Sequence, residues 1–129
     1  MGSVAMNILD NQFARHLLDA MAEGVFTLDA RGRITIWNAS MEKMTGYTAE
    51  EAVGQTCQSL RFSGCMNQNC PENINKCKIY SQGAVDAVKC QLRRKDGGVL
   101  PVVKNARVLK NAEGEPIGVV ETITDLSEL

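Results

Sequence analysis

Residues 22–38 read AEGVFTLDARGRITIWN and predict a β-hairpin. Val25–Leu28 and Arg33–Trp37 are rich in β-branched and aromatic residues, which favour strands, and the four residues between them have the composition of a turn. Glu23-Gly24 ends a preceding amphipathic helix, which runs from about residue 7 to residue 22. The apolar stripe of that helix consists of Leu9, Phe13, Leu17 and Met21.

Two short helices are predicted after the hairpin. Asn38 or Ser40 can cap a helix through Met44, and Gly46 ends it, because a residue without a Cβ readily adopts the left-handed conformation. Thr48–Glu51 has the capping-box pattern, in which the threonine hydroxyl and the glutamate carboxylate satisfy backbone N–H groups reciprocally. This second helix is expected to end near residue 54.

Three further strands complete the predicted pattern. They cover residues 85–94, 99–110 and 117–126, with Gly-containing turns between them. Five strands with the helices grouped in the middle predict an α+β domain whose sheet is covered on one face. A length of 129 residues, of which 44% are hydrophobic and 22% charged, suits a single domain with one core.

Charge and hydropathy narrow the classes of function. Fourteen basic and fifteen acidic residues give a net charge of −1, so the chain offers no positive field for nucleic acid or anionic lipid. No apolar run approaches the ~20 residues of a membrane span, and no signal-peptide pattern begins the chain. We therefore predict a cytoplasmic protein with no direct nucleic-acid or membrane binding. Met1-Gly2-Ser3 resembles the remnant of an expression tag.

Several of these segments together resemble a PAS domain. The resemblance spans about residues 17–128 and is carried by residues 22–29, 34–38, 45–55, 94–98 and 121–128. It implies a five-stranded antiparallel sheet in the order 2-1-5-4-3, with short helices on one face, and it implies sensing without catalysis. Residues 1–16 are then a remnant and an N-terminal amphipathic helix, and residues 17–129 are the PAS domain.

Four cysteines lie within twenty-one residues, at Cys57, Cys65, Cys70 and Cys77. In a reducing compartment such clusters bind a metal or act as redox thiols, and four thiolates suit zinc or an iron–sulfur cluster. The spacing contains no C-x2-C pair, so two alternatives stay open: thiols that fill the core, or a thiol–disulfide pair without metal. Cys90 lies within a predicted strand and is assigned to the core or a sheet face.

A narrower resemblance concerns the same cysteines. Cys57, Cys65 and Cys70-Pro71, with Gly118–Thr122 and Asp125–Ser127, resemble cysteine-containing PAS domains found upstream of AAA+ modules in bacterial enhancer-binding transcription activators, and in some sensor histidine kinases. Cys77 goes beyond the three cysteines of that group. The resemblance implies a sensor of redox, oxygen or metal state, in which we expect an iron–sulfur cluster, with zinc as the alternative.

Other cofactors are disfavoured by the residues that are missing. Cys57 stands where light-sensing LOV domains carry their flavin-adduct cysteine, but its flanking residues differ, and Val102 replaces an expected asparagine. The single histidine, His16, lies on the N-terminal helix, outside the pocket in which haem would need an axial ligand. Trp37 and Asn38 are the pocket candidates, although a tryptophan at a strand end is more often a core residue. No nucleophile–base set indicates an enzyme.

Partners are expected at both ends of the domain. The N-terminal helix either packs on its own domain or pairs with its twin in a homodimer. Glu121 and Asp125 lie where the family's last strand leads to an output domain, here an AAA+ activator or a histidine kinase, and are predicted to transfer the signal. Two solvated carboxylates are the alternative. The alternative function is a metal-free PAS module that dimerises and binds a small metabolite.

Overall fold

The computed structural model of the chain describes residues 12–60 and 83–127. In these residues five strands form one antiparallel sheet in the order β2-β1-β5-β4-β3. The strands are β1 (Gly24–Asp29), β2 (Ile34–Trp37), β3 (Ala84–Arg93), β4 (Val99–Lys110) and β5 (Pro116–Asp125). The helices are α1 (residues 12–20 in the described part), α2 (Ala39–Thr45), α3 (Ala49–Ala52) and α4 (Cys57–Leu60). The predicted α+β class and strand order are confirmed.

The β1–β2 hairpin forms where its sequence predicts it. Asp29 Oδ1 accepts hydrogen bonds from the backbone N–H groups of Arg31, at 2.8 Å, and Arg33, at 3.0 Å. This carboxylate holds the turn closed because it satisfies two donors that the tight bend leaves without strand partners. The ladder then pairs Phe26 with Trp37 and places both rings on the same face of the sheet.

Both predicted helix caps are present. Asn38 Oδ1 accepts from the Met41 N–H at 3.1 Å and caps α2, which ends at Gly46 with a left-handed φ of 83°. Thr48 and Glu51 form the reciprocal capping box of α3. These motifs act over three or four residues, which is why the sequence alone predicts them.

The core lies between the sheet and the helices that follow β2. Its buried apolar side chains are Phe26, Leu28, Ile34, Trp37, Met41, Met44, Ala52, Leu92, Val102, Ala106, Val119 and Ile123. Gly24 lets the side chains of Met41 and Met44 pack closely on β1, since a Cβ at this position would lie 2.5 Å from the sulfur of Met41. Any side chain there would force these two methionines to shift within the core.

The β3–β4 turn contacts two of the helices, α2 and α3, through its side chains. The Arg94 guanidinium donates to the backbone oxygen of Met44, at 2.8 Å, near the C-terminal end of α2. Lys95 forms an ion pair with Glu51 of α3. The side-chain hydrogen bond from Lys95, followed by the backbone hydrogen bond from Thr48, holds the pKa of Glu51 below its usual value.

Helix α4 was not predicted, because the second of the two short helices expected after the hairpin ends near residue 54. Thr56 and Ser59 explain it. Each hydroxyl accepts a 3.0 Å hydrogen bond from the other residue's backbone N–H, as in a capping box. The other three predicted metal ligands, Cys65, Cys70 and Cys77, lie outside the described residues, as does the start of the N-terminal helix. None of the helices in the described ranges is both long and apolar enough to cross a bilayer.

Candidate functional site

The inner face of the sheet contains a buried pair of opposite charges. Lys104 on β4 and Glu121 on β5 have side chains that are each 1% exposed, and they lie among apolar neighbours. Lys104 pairs in register with Ile123, and Ala106 pairs with Glu121, so the two charged residues are diagonal neighbours on central strands. They are the charged side chains among the buried residues that the structure describes.

The geometry of this pair indicates that charge holds it together. Lys104 Nζ lies 2.9 Å from Glu121 Oε1, although no hydrogen bond of regular angular geometry reaches that oxygen within the described part of the chain. Removing two ions from water costs several kcal/mol each, and their mutual attraction offsets that cost only while the two stay close. Separating Lys104 from Glu121 would therefore be strongly unfavourable while the core remains dry.

Sequence reasoning assigned no role to Lys104. A signal was present, because Lys104 alternates with Val102 and Ala106, and period-two alternation places all three on one face of a strand. Glu121 alternates with Val119 and Ile123 in the same way. A lysine and a glutamate at core positions of two predicted adjacent strands could have been recognised as a buried pair.

Cys57 and Cys90 are the cysteines that the described ranges contain. Cys57 is the first residue of α4, it is half-buried, and it packs against the core. Cys90 is also half-buried and packs against the core, where it pairs in register with Val102 of β4. The predicted assignment of Cys90 to the core or a sheet face agrees with this position. The cysteine segment therefore starts beside the core.

Only one of the four predicted metal ligands, Cys57, belongs to the residues that the structure describes. Within residues 12–60 and 83–127, no group of three or more His, Cys, Asp or Glu side chains is arranged to hold a metal ion. Cys57 is the one predicted ligand in these ranges, and it packs against the apolar core. A thiolate at this position would be a soft ligand of the kind that zinc and iron–sulfur clusters take.

Trp37 is buried at the end of β2. Its Nε1–H donates to the backbone oxygen of Tyr47 at 3.0 Å, and its ring lies against Phe26 with centroids 5.7 Å apart and planes inclined by 51°. These contacts tie β2 to the segment between α2 and α3. The core role that the sequence offered as an alternative is thus present, and a role in binding a ligand stays a prediction.

Asn38 joins four backbone groups at once. Its Oδ1 accepts from Val25 and Met41, and its Nδ2 donates to the backbone oxygens of Leu18, at 2.7 Å, and Glu23, at 3.0 Å. The amide therefore fastens α1, β1 and α2 together. Trp37 and Asn38 also line a groove of about 540 Å³ between α1 and the segment β2–α3.

Three hydrogen bonds hold the end of β5. Asp125 Oδ1 accepts from the Ser127 backbone N–H at 2.8 Å and from its hydroxyl at 2.6 Å, which closes a turn directly after the strand. The Leu126 N–H donates to Pro101 of β4 at 2.9 Å. Asp125 thus shapes the point where the chain leaves the sheet. Glu121 is buried, so the alternative of two solvated carboxylates is wrong for that residue.

Comparisons with known proteins agree with this architecture. A crystal structure of a PAS domain from Colwellia psychrerythraea has a TM-score of 0.73 and 21% identity, covering 92% of this chain and 98% of that one. A PAS domain from a two-component sensor histidine kinase gives a TM-score of 0.72 at 18% identity, with the same coverage of both chains. At these identities the likeness shows the fold.

Sequence relatives are much longer than this chain. The Escherichia coli (strain K12) protein named "Probable diguanylate cyclase DgcE" is 32% identical over 112 residues, which are 86% of this chain and 10% of that protein. The chain spans a tenth or less of the length of the curated relatives it matches. The PAS domain family model matches residues 22–128. The chain therefore belongs to the PAS domain family.

Proposed function

We propose that this PAS domain is the non-catalytic sensory module of a longer bacterial signalling or transcription-regulatory protein. Its membership in the family and its small share of its relatives' length support a role as one module among several. An AAA+ activator or a histidine kinase is the output domain that the cysteine pattern favours, and the link to that domain would follow Asp125. The location is proposed to be cytoplasmic, without direct contacts to nucleic acid or membrane.

The signal is proposed to be redox, oxygen or metal state, detected by Cys57, Cys65, Cys70 and Cys77. The position of Cys57 against the core carries this proposal. Because protein interiors are close-packed, oxidation or metal loss at Cys57 would shift the core side chains that it contacts. An iron–sulfur cluster is the first expectation and zinc the second, because both are held by four thiolates. When bound, either centre would supply ligand bonds that stabilise the segment and break on oxidation or metal loss.

Metal content of the whole chain tests the proposal. Protein purified without oxygen should contain iron and sulfide, or else zinc, in fixed ratio to the chain by elemental analysis. Cys70→Ser should lose the metal, because one of four thiolates is removed, and should melt at a lower temperature. Cys90→Ser is the matched control, since Cys90 is outside the proposed ligand set, and it should retain the metal. Metal-free wild-type protein with a full complement of titratable thiols would refute the proposal.

The second candidate function is a metal-free PAS module that dimerises through α1 and binds a small metabolite. Exposed apolar side chains on α1 favour the dimer part of it: Phe13 is 68% exposed and Leu17 53%. These residues are one helical turn apart, so they form a continuous apolar strip.

Ultracentrifugation tests the α1 dimer. Phe13→Glu/Leu17→Glu should convert a wild-type dimer to a monomer, because two charges would be placed in the apolar contact. Ile117→Glu is the control, as Ile117 is 50% exposed but lies on β5. A monomeric wild type, or a double variant that still dimerises, would exclude this interface.

A further inference from the structure

We propose that the Lys104–Glu121 ion pair is a buried lock between β4 and β5, which holds the exit end of β5 against the sheet and releases it when the pair separates. The inference rests on the proposed function only in treating the chain after Asp125 as the route to an output domain. The lock itself concerns residues of the described sheet and requires neither a metal nor a ligand.

Position on the strands is the first argument. Lys104 lies two residues from Val102, which pairs with Asp125, and three residues from Pro101, whose oxygen accepts from the Leu126 N–H. Residues 101–104 of β4 therefore hold residues 123–126 of β5. Lys104 is the charged, buried member of this stretch. Its partner Glu121 lies four residues before Asp125, on the same strand.

The physics of a buried ion pair supplies two states. Attraction between two charges is several times stronger in a protein interior than in water. A dry core thus favours the closed pair, whereas entry of water or of a polar group solvates each ion separately and weakens the contact. Hydration of the interior is therefore coupled, through the pair, to the β4–β5 ladder. Signal transfer requires an element with two states of this kind.

An exposed ion pair provides the comparison within the same sheet. Arg107 of β4 contacts Asp86 of β3 at 2.6 Å, but these side chains are 56% and 69% exposed. Water already solvates both ions, so their separation changes little. A lock requires burial as well as contact, and among the ion pairs of the described residues Lys104–Glu121 alone has both.

Amide hydrogen exchange on Glu121→Gln tests the lock. The variant removes the negative charge that Lys104 contacts in the core, so exchange at residues 122–126 should accelerate roughly 10-fold more than exchange in the β1–β2 hairpin, as a local opening would produce. Arg107→Gln/Asp86→Asn should change neither region by more than about twofold. Equal acceleration of all strands, or none, would overturn the proposal, because the pair would then act only on global stability.

A second variant keeps the test decisive if Glu121→Gln does not fold. Lys104→Met/Glu121→Met replaces both ions with apolar side chains of similar length, a change that buried pairs commonly tolerate. The apolar contact has no favourable hydrated state, so exchange at residues 122–126 should slow by roughly fivefold or more relative to β1–β2. Rates equal to those of the wild type would overturn the lock. Since no metal is involved, this failure is separable from failure of the proposed function.

Discussion

Strand β4 contributes a lysine and an arginine to two ion pairs on opposite faces of the sheet, and the two pairs differ most in burial. Lys104 meets Glu121 in the core at 2.9 Å, where both side chains are 1% exposed, whereas Arg107 meets Asp86 at 2.6 Å on the outer face, where both are mostly exposed. The outer contact is shorter, yet water competes for both of its ions. Burial, and not distance, decides which pair the fold depends on.

Neutralising one member of the inner pair should produce the largest effect. Lys104→Met removes the cation that contacts the buried Glu121 carboxylate, and we expect a loss of about 3–5 kcal/mol in the free energy of unfolding. Urea denaturation would measure it. Adding Glu121→Met should recover most of the loss. A single variant within about 1 kcal/mol of the wild type would contradict the contrast between the two faces.

Removing a buried polar group without charge should cost an amount of stability between the costs expected for the two ion pairs. Asn38→Ala removes the cap of α2 and leaves the Val25 N–H without its acceptor, so we expect a loss of about 2 kcal/mol. Lys43→Ala is the control, since Lys43 is exposed on the same helix. Thermal or urea unfolding of both variants checks the prediction. Equal stabilities would show that the Asn38 hydrogen bonds contribute nothing net.

The outer pair should matter little. Arg107→Gln is expected to cost less than about 1 kcal/mol, and the cost should shrink as salt is added, because ions screen exposed charges. Urea denaturation at low and high salt measures both quantities. A loss as large as that of Lys104→Met would mean that exposure does not separate the two pairs.

The exposed Lys95–Glu51 pair predicts a small dependence on pH. The pKa of Glu51 is lower in the folded protein than its ordinary value of 4.5, so the carboxylate form is favoured by folding. Its contribution is present above the unfolded pKa and is lost as the pH falls through the folded pKa. The melting temperature of Glu51→Gln should therefore lie below that of the wild type near neutral pH and converge with it in acid. A gap that widens in acid would contradict this sign.

Most local motifs were predicted from the sequence, whereas the long-range ion pair was not, although its residues lie at predicted inward-facing strand positions. The Asp29 turn, the Asn38 cap and the Thr48–Glu51 capping box each depend on residues within four positions of one another. The Lys104–Glu121 pair joins residues seventeen positions apart, and it exists only because β4 and β5 align in one register. Helix α4 is a local motif that was missed, because Thr56 and Ser59 form a capping pattern without a glutamate.

The candidate site likewise has parts that the sequence indicated and parts that only the structure shows. The family resemblance indicated that the end of β5 leads out of the domain, and Asp125 lies there in a closed turn. The cysteine segment was evident from the spacing of its residues, and the structure adds that Cys57 packs against the core. Glu121 was predicted as a residue of the junction, yet its contacts are with the interior. Its position four residues before Asp125 is what links the interior to the exit.

Hydrogen exchange at the end of β5, with and without metal, tests most directly whether this domain transmits the state of its interior to its exit. Protein purified without oxygen and the same protein after chelation would be compared at residues 122–126, with residues 24–37 as the internal reference. A coupled sensor should exchange roughly 5- to 150-fold faster at residues 122–126 after metal removal, while the reference changes little. Equal rates at the end of β5 in both samples would contradict the sensory role.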